Sequence, residues 1–262
     1  MNAVLFNPKK VMVALGVLFV FFVSSVYAAD DKYTMEDLKM LDKEGNHIQV
    51  LEHMNDIRPS QRNEEWKAIV QRATMTYLEK LVASGDAYAA FNFSEQMLDT
   101  QSALKDYDAF INLRRNTVLS FLKDCYQNTY SGSECTDLLN GAINKTPSDQ
   151  ELVFQAAKLV RLHTNAANAV PFFVQAMKIN PDLKKCTDED LILAVESGMK
   201  LPPDRASAAF ELGFSICYEP LKASLLEDFY KSSGYATTNY CSSLSMKKAL
   251  TPFQKAYCAD KQ

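Results

Sequence analysis

The chain has 262 residues, with 28 lysines and arginines against 32 aspartates and glutamates. That length buries a sizeable core in one or two domains, and 47% hydrophobic residues beside 23% charged ones exclude a disordered or low-complexity chain. A net charge of -4 leaves no basic surplus for a phosphate backbone, and 8 glycines are too few for Gly-rich phosphate loops or many tight β-turns.

Residues 1–28 read as an address. Lys9 and Lys10 close a short leader without acids, Val11 to Val26 is almost wholly apolar, and Val26-Tyr27-Ala28 offers compact residues to a signal peptidase. The apolar run is shorter than the roughly 20 residues that span a bilayer, so cleavage after Ala28 is expected rather than an anchor. Removing two bases and no acid leaves a more acidic exported product, without stable membrane insertion, in an oxidising periplasm or outside the cell.

From Met35 onward apolar residues recur at helical spacing. Trp66, Val70, Ala73, Tyr77 and Leu81 define one face of a helix from about Asn63 to Ser84, which Gly85-Asp86 stops. Its position in that stripe makes Trp66 a core residue. Ala87, Phe91, Ser94 and Leu98 mark the next helix, and a long one is expected from about Ser102 to Tyr126 with Tyr107, Ile111, Val118, Leu122 and Cys125 near one face. Further helices follow at Glu134–Asn144, Ser148–Thr164, Ala166–Ile179, Asp188–Lys200 and Asp204–Cys217, with short ones around Leu221–Lys231, Tyr240–Lys247 and Pro252–Ala259. Ser148 before Glu151 has capping-box spacing, and Pro202-Pro203-Asp204 breaks one helix and starts another. No run alternates strictly enough for strands. The expected fold is all-α, built of antiparallel helix pairs in one domain over residues 29–262, with a disulfide-poor part at 29–145 and a stapled part at 146–262.

Ala169, Phe173, Ala176 and Pro181 follow an A-x₃-F-x₂-A-x₄-P pattern, preceded by Val153, Ala156, Ala157 and Val160 on the partner helix. This stretch, at about 150–183, resembles a tetratricopeptide repeat. Ala208, Leu212, Ser215 and Pro220 give a weaker echo, and Ser84-Gly85-Asp86 with Ala90 a degenerate turn. The resemblance implies an irregular right-handed α-solenoid that binds proteins or peptides.

Enzymatic signatures are missing: there is no G-x-S-x-G, H-E-x-x-H, Walker loop or dinucleotide fingerprint, and no C-x-x-C. His47 and His53, six residues apart, point to different sides of a helix, and His163 lies on the Leu152, Ala156, Leu159 face as a packed or capping residue. The acids Glu64-Glu65 and Asp188–Asp190 fall at helix starts, where the dipole explains them without a two-carboxylate hydrolase. No catalytic, cofactor or metal residue is assigned. Two basic features stand out as tentative partner-binding residues. Arg114 falls near the centre of an apolar face, where it either pairs with an acid from a neighbouring helix or lines a groove for an anionic group; Arg58 and Arg62 flank a short turn whose helix cap is Ser60 or Asn63. Asn92-Phe93-Ser94 and Asn144-Lys145-Thr146 are glycosylation sequons that decide nothing about source.

Six cysteines allow 15 pairings. Helix order narrows them, because the expected ends of neighbouring helices meet at Cys125–Cys135, Cys186–Cys217 and Cys241–Cys258. The leading expectation is an exported, non-enzymatic scaffold for a protein or peptide partner, without nucleic acid; the alternatives are a secreted effector or inhibitor and, further off, a hydrolase.

Overall fold

The computed structural model describes residues 32–128, 132–201, 208–209 and 211–217. The described residues form helices and turns and no strand, so the all-α expectation holds. None of these helices is long and apolar enough to cross a membrane. The leader, the three terminal helices, Pro220 and the Cys241–Cys258 pair lie outside them.

The chain packs as two compact units, Met1–Thr74 and Met75–Gln262. In the first, α1 (Met35–Lys43) opens on a capping box: the Asp37 amide donates to Thr34 Oγ1 at 3.3 Å and the Thr34 amide to Asp37 Oδ2 at 2.8 Å. It closes on Gly45 at φ 71°, where the Asn46 amide reaches back to the Leu41 carbonyl and the Gly45 amide to that of Asp42. Packed against α1 is α2 (His47–His53). A turn through the 3₁₀ segment Pro59–Gln61 leads to α3 (Glu64–Ala83), in which the unit boundary falls. Asn63, not Ser60, caps α3, accepting the Trp66 amide at 3.0 Å. Trp66 is buried and its indole N–H donates to the Met54 carbonyl at 3.1 Å, so the aromatic belongs to the core as expected.

The second unit runs through α4 (Ala87–Thr100), α5 (Asp108–Asn128), α6 (Gly132–Lys145), α7 (Gln150–His163), α8 (Val170–Ile179) and α9 (Glu189–Met199) to a short π-helix, Glu211–Ile216. Each of these α-helices packs on the next, α5 and α9 both also pack on α7, and the π-helix packs on α8. Gly85, at φ 77°, ends α3, and Asp86 accepts the Ala89 amide to start α4. Several expected boundaries shift for identifiable reasons. The long helix loses its first turn to a separate 3₁₀ segment, Ser102–Leu104. Val118, Leu122 and Cys125 of the expected face are buried, the buried side widens to take in Phe110, Arg114, Thr117 and Phe121, and Tyr107 and Ile111 are only half-buried. The helix expected from Ser148 starts at Gln150 instead, because Asp149 is the cap: its carboxylate accepts the Leu152 amide at 3.0 Å. Ala166–Ala169 is a 3₁₀ turn, and the α-helix resumes with Pro171 in its first turn.

Two disulfides close the helix ends that the sequence paired. Cys125–Cys135 joins the end of α5 to the start of α6, with Cα atoms 5.9 Å apart. Cys186–Cys217, at 5.3 Å, ties the 3₁₀ segment Leu183–Thr187 to the end of the π-helix. All four cysteines are buried. Gly198 lets α9 approach Ala209 and Val170 closely: a Cβ there would stand 2.7 Å from that of Ala209 and 3.0 Å from Val170 Cγ2.

Candidate functional site

The bulkiest fully buried side chain of the second unit is a charged one, Arg114 on α5. Its Nε donates to Glu95 Oε1 on α4 at 2.6 Å, its Nη1 to Thr146 Oγ1 at 2.9 Å and its Nη2 to the Ala142 carbonyl of α6 at 2.8 Å. Of the two roles open to Arg114, the structure places the buried pair. It has no surface to offer an outside anion, and the groove role is corrected. Glu95 also meets Lys145 Nζ at 3.2 Å, and Lys145 reaches Asp99 at 2.6 Å. Burial works against the Lys145 charge, but Asp99 and Glu95 together outweigh it and hold its pKa above the usual lysine range. The neighbouring Arg115 turns the other way, its Nε lying 2.9 and 3.0 Å from the two oxygens of Asp149. Two adjacent arginines thus fasten α5 to α4, α6 and the start of α7. Glu95 went unnoticed in the sequence, although it stands four residues after Phe91 on the buried face of α4.

A charged seam runs along α7. Glu151 accepts from Lys185 at 2.5 Å, Lys158 lies between Asp188 at 2.8 Å and Asp190 at 3.2 Å, and Arg161 pairs with Asp190. Asp188 foremost, with Asp190, holds the Lys158 pKa above its ordinary value against the effect of burial. Lys185 also covers the Phe154 ring at 4.3 Å. Every ion in this seam is answered by another, so its chemistry is cohesive. Asp188 doubles as the cap of α9, as the helix-start reading of these acids requires.

In the first unit, Arg62 folds back onto its own turn. Its Nε donates to the Ile57 carbonyl at 3.0 Å and its guanidinium lies 4.9 Å from the Trp66 ring centroid, so this arginine is engaged as a loop staple. Arg58 is exposed at the same turn. His53 Nδ1 lies 3.0 Å from Asp56 Oδ2, placed for its N–H to donate to the carboxylate, and the ring stacks on Tyr33 with ring centroids 3.7 Å apart, while His163 stacks on Tyr126 at 5.6 Å, the packed role expected of it. No group of three or more metal-ligating side chains exists among the described residues.

A recess of the second unit lies at the end of the α4–α5 hairpin. It is a cleft of about 500 Å³ lined by Asp86 and Tyr88 from α4 and its cap, and by Ser120, Lys123, Asp124 and Gln127 from the last turns of α5. Tyr88 is 54% exposed yet supported from below: its ring lies 6.0 Å from Phe121, which stacks on Phe91 at 4.2 Å. Phe91 and Phe121 are buried, so an aromatic ladder rises out of the core and ends in the cleft. Nothing in the periodicity singled out Tyr88. Its signal in the sequence is a large aromatic on the polar side of a helix, next to a capping acid.

No protein-family model, curated protein or solved structure matches the chain. The assignment of a role therefore rests on the molecule's own geometry.

Proposed function

We propose that this chain is an exported, non-enzymatic helical binding protein that holds a protein or peptide partner. The observation that carries the reading is the stepwise packing of the second unit, in which α4 to α9 each pack on the next and α5 and α9 flank α7. Nearest-neighbour packing of this kind is how helical-hairpin arrays build long faces for extended partners. The tetratricopeptide-like positions support it: Val153, Ala156, Ala157 and Val160 on α7 are buried together with Ala169, Phe173 and Ala176, and Phe154 meets Phe173 edge-on at 5.2 Å. Two buried disulfides support an oxidising compartment, where they persist. The hairpin-end cleft with its rigid tyrosine is the recognition surface in this reading, since rigid aromatics on helices give contact area at low entropic cost.

Selection of a displayed random-peptide library on the purified chain, followed by calorimetry with the selected peptides, tests the proposal. Saturable binding of one sequence class is expected. Failure to enrich any peptide, or multiple turnover of a peptidoglycan or peptide substrate that a single carboxylate substitution abolishes, would overturn it.

A further inference from the structure

Resting on that reading, we infer that the α4–α5 cleft receives the cationic side chain, lysine or arginine, of the partner peptide. The buried and half-buried cations elsewhere in the second unit are already matched by acids, while its exposed charges face water. Arg114 spends its donors inside the protein, and Lys158, Lys185 and Arg161 are bound to acids along α7. The cleft differs. Asp86 and Asp124 form no ion pair among the described residues, and each uses one oxygen locally, Asp86 Oδ1 for the Ala89 amide and Asp124 Oδ1 for the Asn128 side chain. Lys123, the base of the lining, is exposed on a flexible stem and pairs with neither.

Three independent features favour a cation here. The Tyr88 ring, held by Phe121, presents an exposed π-face, which attracts ammonium and guanidinium groups. The last turn of α5 brings the negative end of its helix dipole, whereas the opposite end of α4 is already satisfied by Asp86. The whole chain carries a net charge of -4, so a basic segment is steered towards it and an acidic one repelled. An aromatic face flanked by two carboxylates suits an alkyl stem ending in a positive charge, and neither an acidic nor a purely aliphatic side chain uses all three features.

Amide NMR of the isotope-labelled full chain, titrated with N-acetyl-lysine methylamide and N-acetyl-arginine methylamide, tests this. The norleucine and glutamate counterparts serve as probes of the same length class without the positive charge. The basic probes should shift the Ala87, Tyr88, Asp124 and Gln127 amides, and the norleucine probe should bind about tenfold more weakly. Tyr88→Leu should weaken the lysine probe about fivefold, the scale of one cation–π contact, while Tyr88→Phe retains it. Asp86→Asn with Asp124→Asn keeps the cap and removes both charges, so it should abolish the preference for lysine over norleucine without unfolding α4. Equal binding of the norleucine probe, shifts confined to other helices, or indifference to both sets of substitutions would overturn the inference. Should library peptides bind saturably but lack lysine and arginine or leave the cleft unshifted, the cation site falls and the binding role stands. Failure of the library to yield any binder removes the role itself.

Discussion

Replacing Glu95 with glutamine should destabilise the second unit more than replacing its buried partner Arg114 with methionine. The structure sets the magnitudes. Arg114 is fully buried, and the Glu95 carboxylate is the acid at its guanidinium, with only the neutral Thr146 hydroxyl and Ala142 carbonyl besides. Glu95→Gln therefore strands a buried positive charge, at a cost of about 3–5 kcal/mol. Arg114→Met removes that charge and fills similar space. Glu95 keeps Lys145 at 3.2 Å, so no ion is left alone. What remains is the lost hydrogen bonding of Thr146 and Ala142, about 1–3 kcal/mol. The double variant should cost less than the sum of the two singles, since once the arginine is gone the glutamine has no buried cation to abandon.

Urea denaturation followed by far-UV circular dichroism reads this difference, with Trp66 emission as a separate reporter for the first unit, since it is the chain's one tryptophan. In thermal melts each kcal/mol corresponds to roughly 2–4 °C for a chain of this size. The glutamine variant should melt below the methionine variant. A methionine variant that is the less stable of the two, or singles that add, would show that Glu95 and Arg114 are not a coupled buried pair and would refute the reasoning.

Other outcomes follow from the same geometry. Separate Cys→Ser variants should show Cys186–Cys217 contributing roughly 4 kcal/mol and Cys125–Cys135 roughly 3 kcal/mol, because the first closes the longer loop; a non-reduced digest should yield both links, and a crossed link would overturn the helix order. Gly198→Ala should cost about 1–3 kcal/mol in chemical denaturation, as the added methyl group meets Ala209 and Val170. Asp149→Asn should retain the α7 cap and lose only the Arg115 pair, whereas Asp149→Ala loses both and should be about 1 kcal/mol worse by the same measure. Burial pushes the Glu151 carboxyl up, but Lys185 and Gln155 outweigh it and hold its pKa below the ordinary value. Its contribution is therefore complete above about pH 4.3 and lost as pH falls through the lowered folded value, so Glu151→Gln should flatten the acid limb of the melting-temperature profile and leave the alkaline limb unchanged.

Much of this fold was legible because helices announce their buried faces by period. Trp66, Val70 and Ala73 recur at that spacing and are buried; Phe91, Ser94 and Leu98 do the same. The two described disulfides were legible because a hairpin brings the ends of neighbouring helices together. What the period did not reveal was where a helix begins when two capping residues compete. Asp149 prevails over Ser148 because Arg115, far away in sequence, grips the same carboxylate. The partner of Arg114 was hidden for a related reason: a charged residue on a buried face looks like a break in the stripe, when in fact Glu95 and Arg114 are each other's justification.

The lock and the cleft are linked through α4 and α5. Arg114 and Glu95 fix the register of that hairpin midway along its length, and Phe91 and Phe121 stack nearer to the end where Tyr88 emerges. A rigid hairpin is what keeps an exposed tyrosine in one orientation, and pre-organisation of that kind lowers the ordering cost of binding. The consequence is testable apart from any ligand's identity. Arg114→Met touches nothing in the cleft, yet by loosening the hairpin it should broaden the Tyr88 and Phe121 ring signals in NMR and weaken the lysine probe by a few-fold, mostly through faster dissociation. If the rings stay sharp and the probe binds unchanged, the register of the cleft is set by the aromatic ladder alone, and the buried arginine serves only the cohesion of α4, α5 and α6.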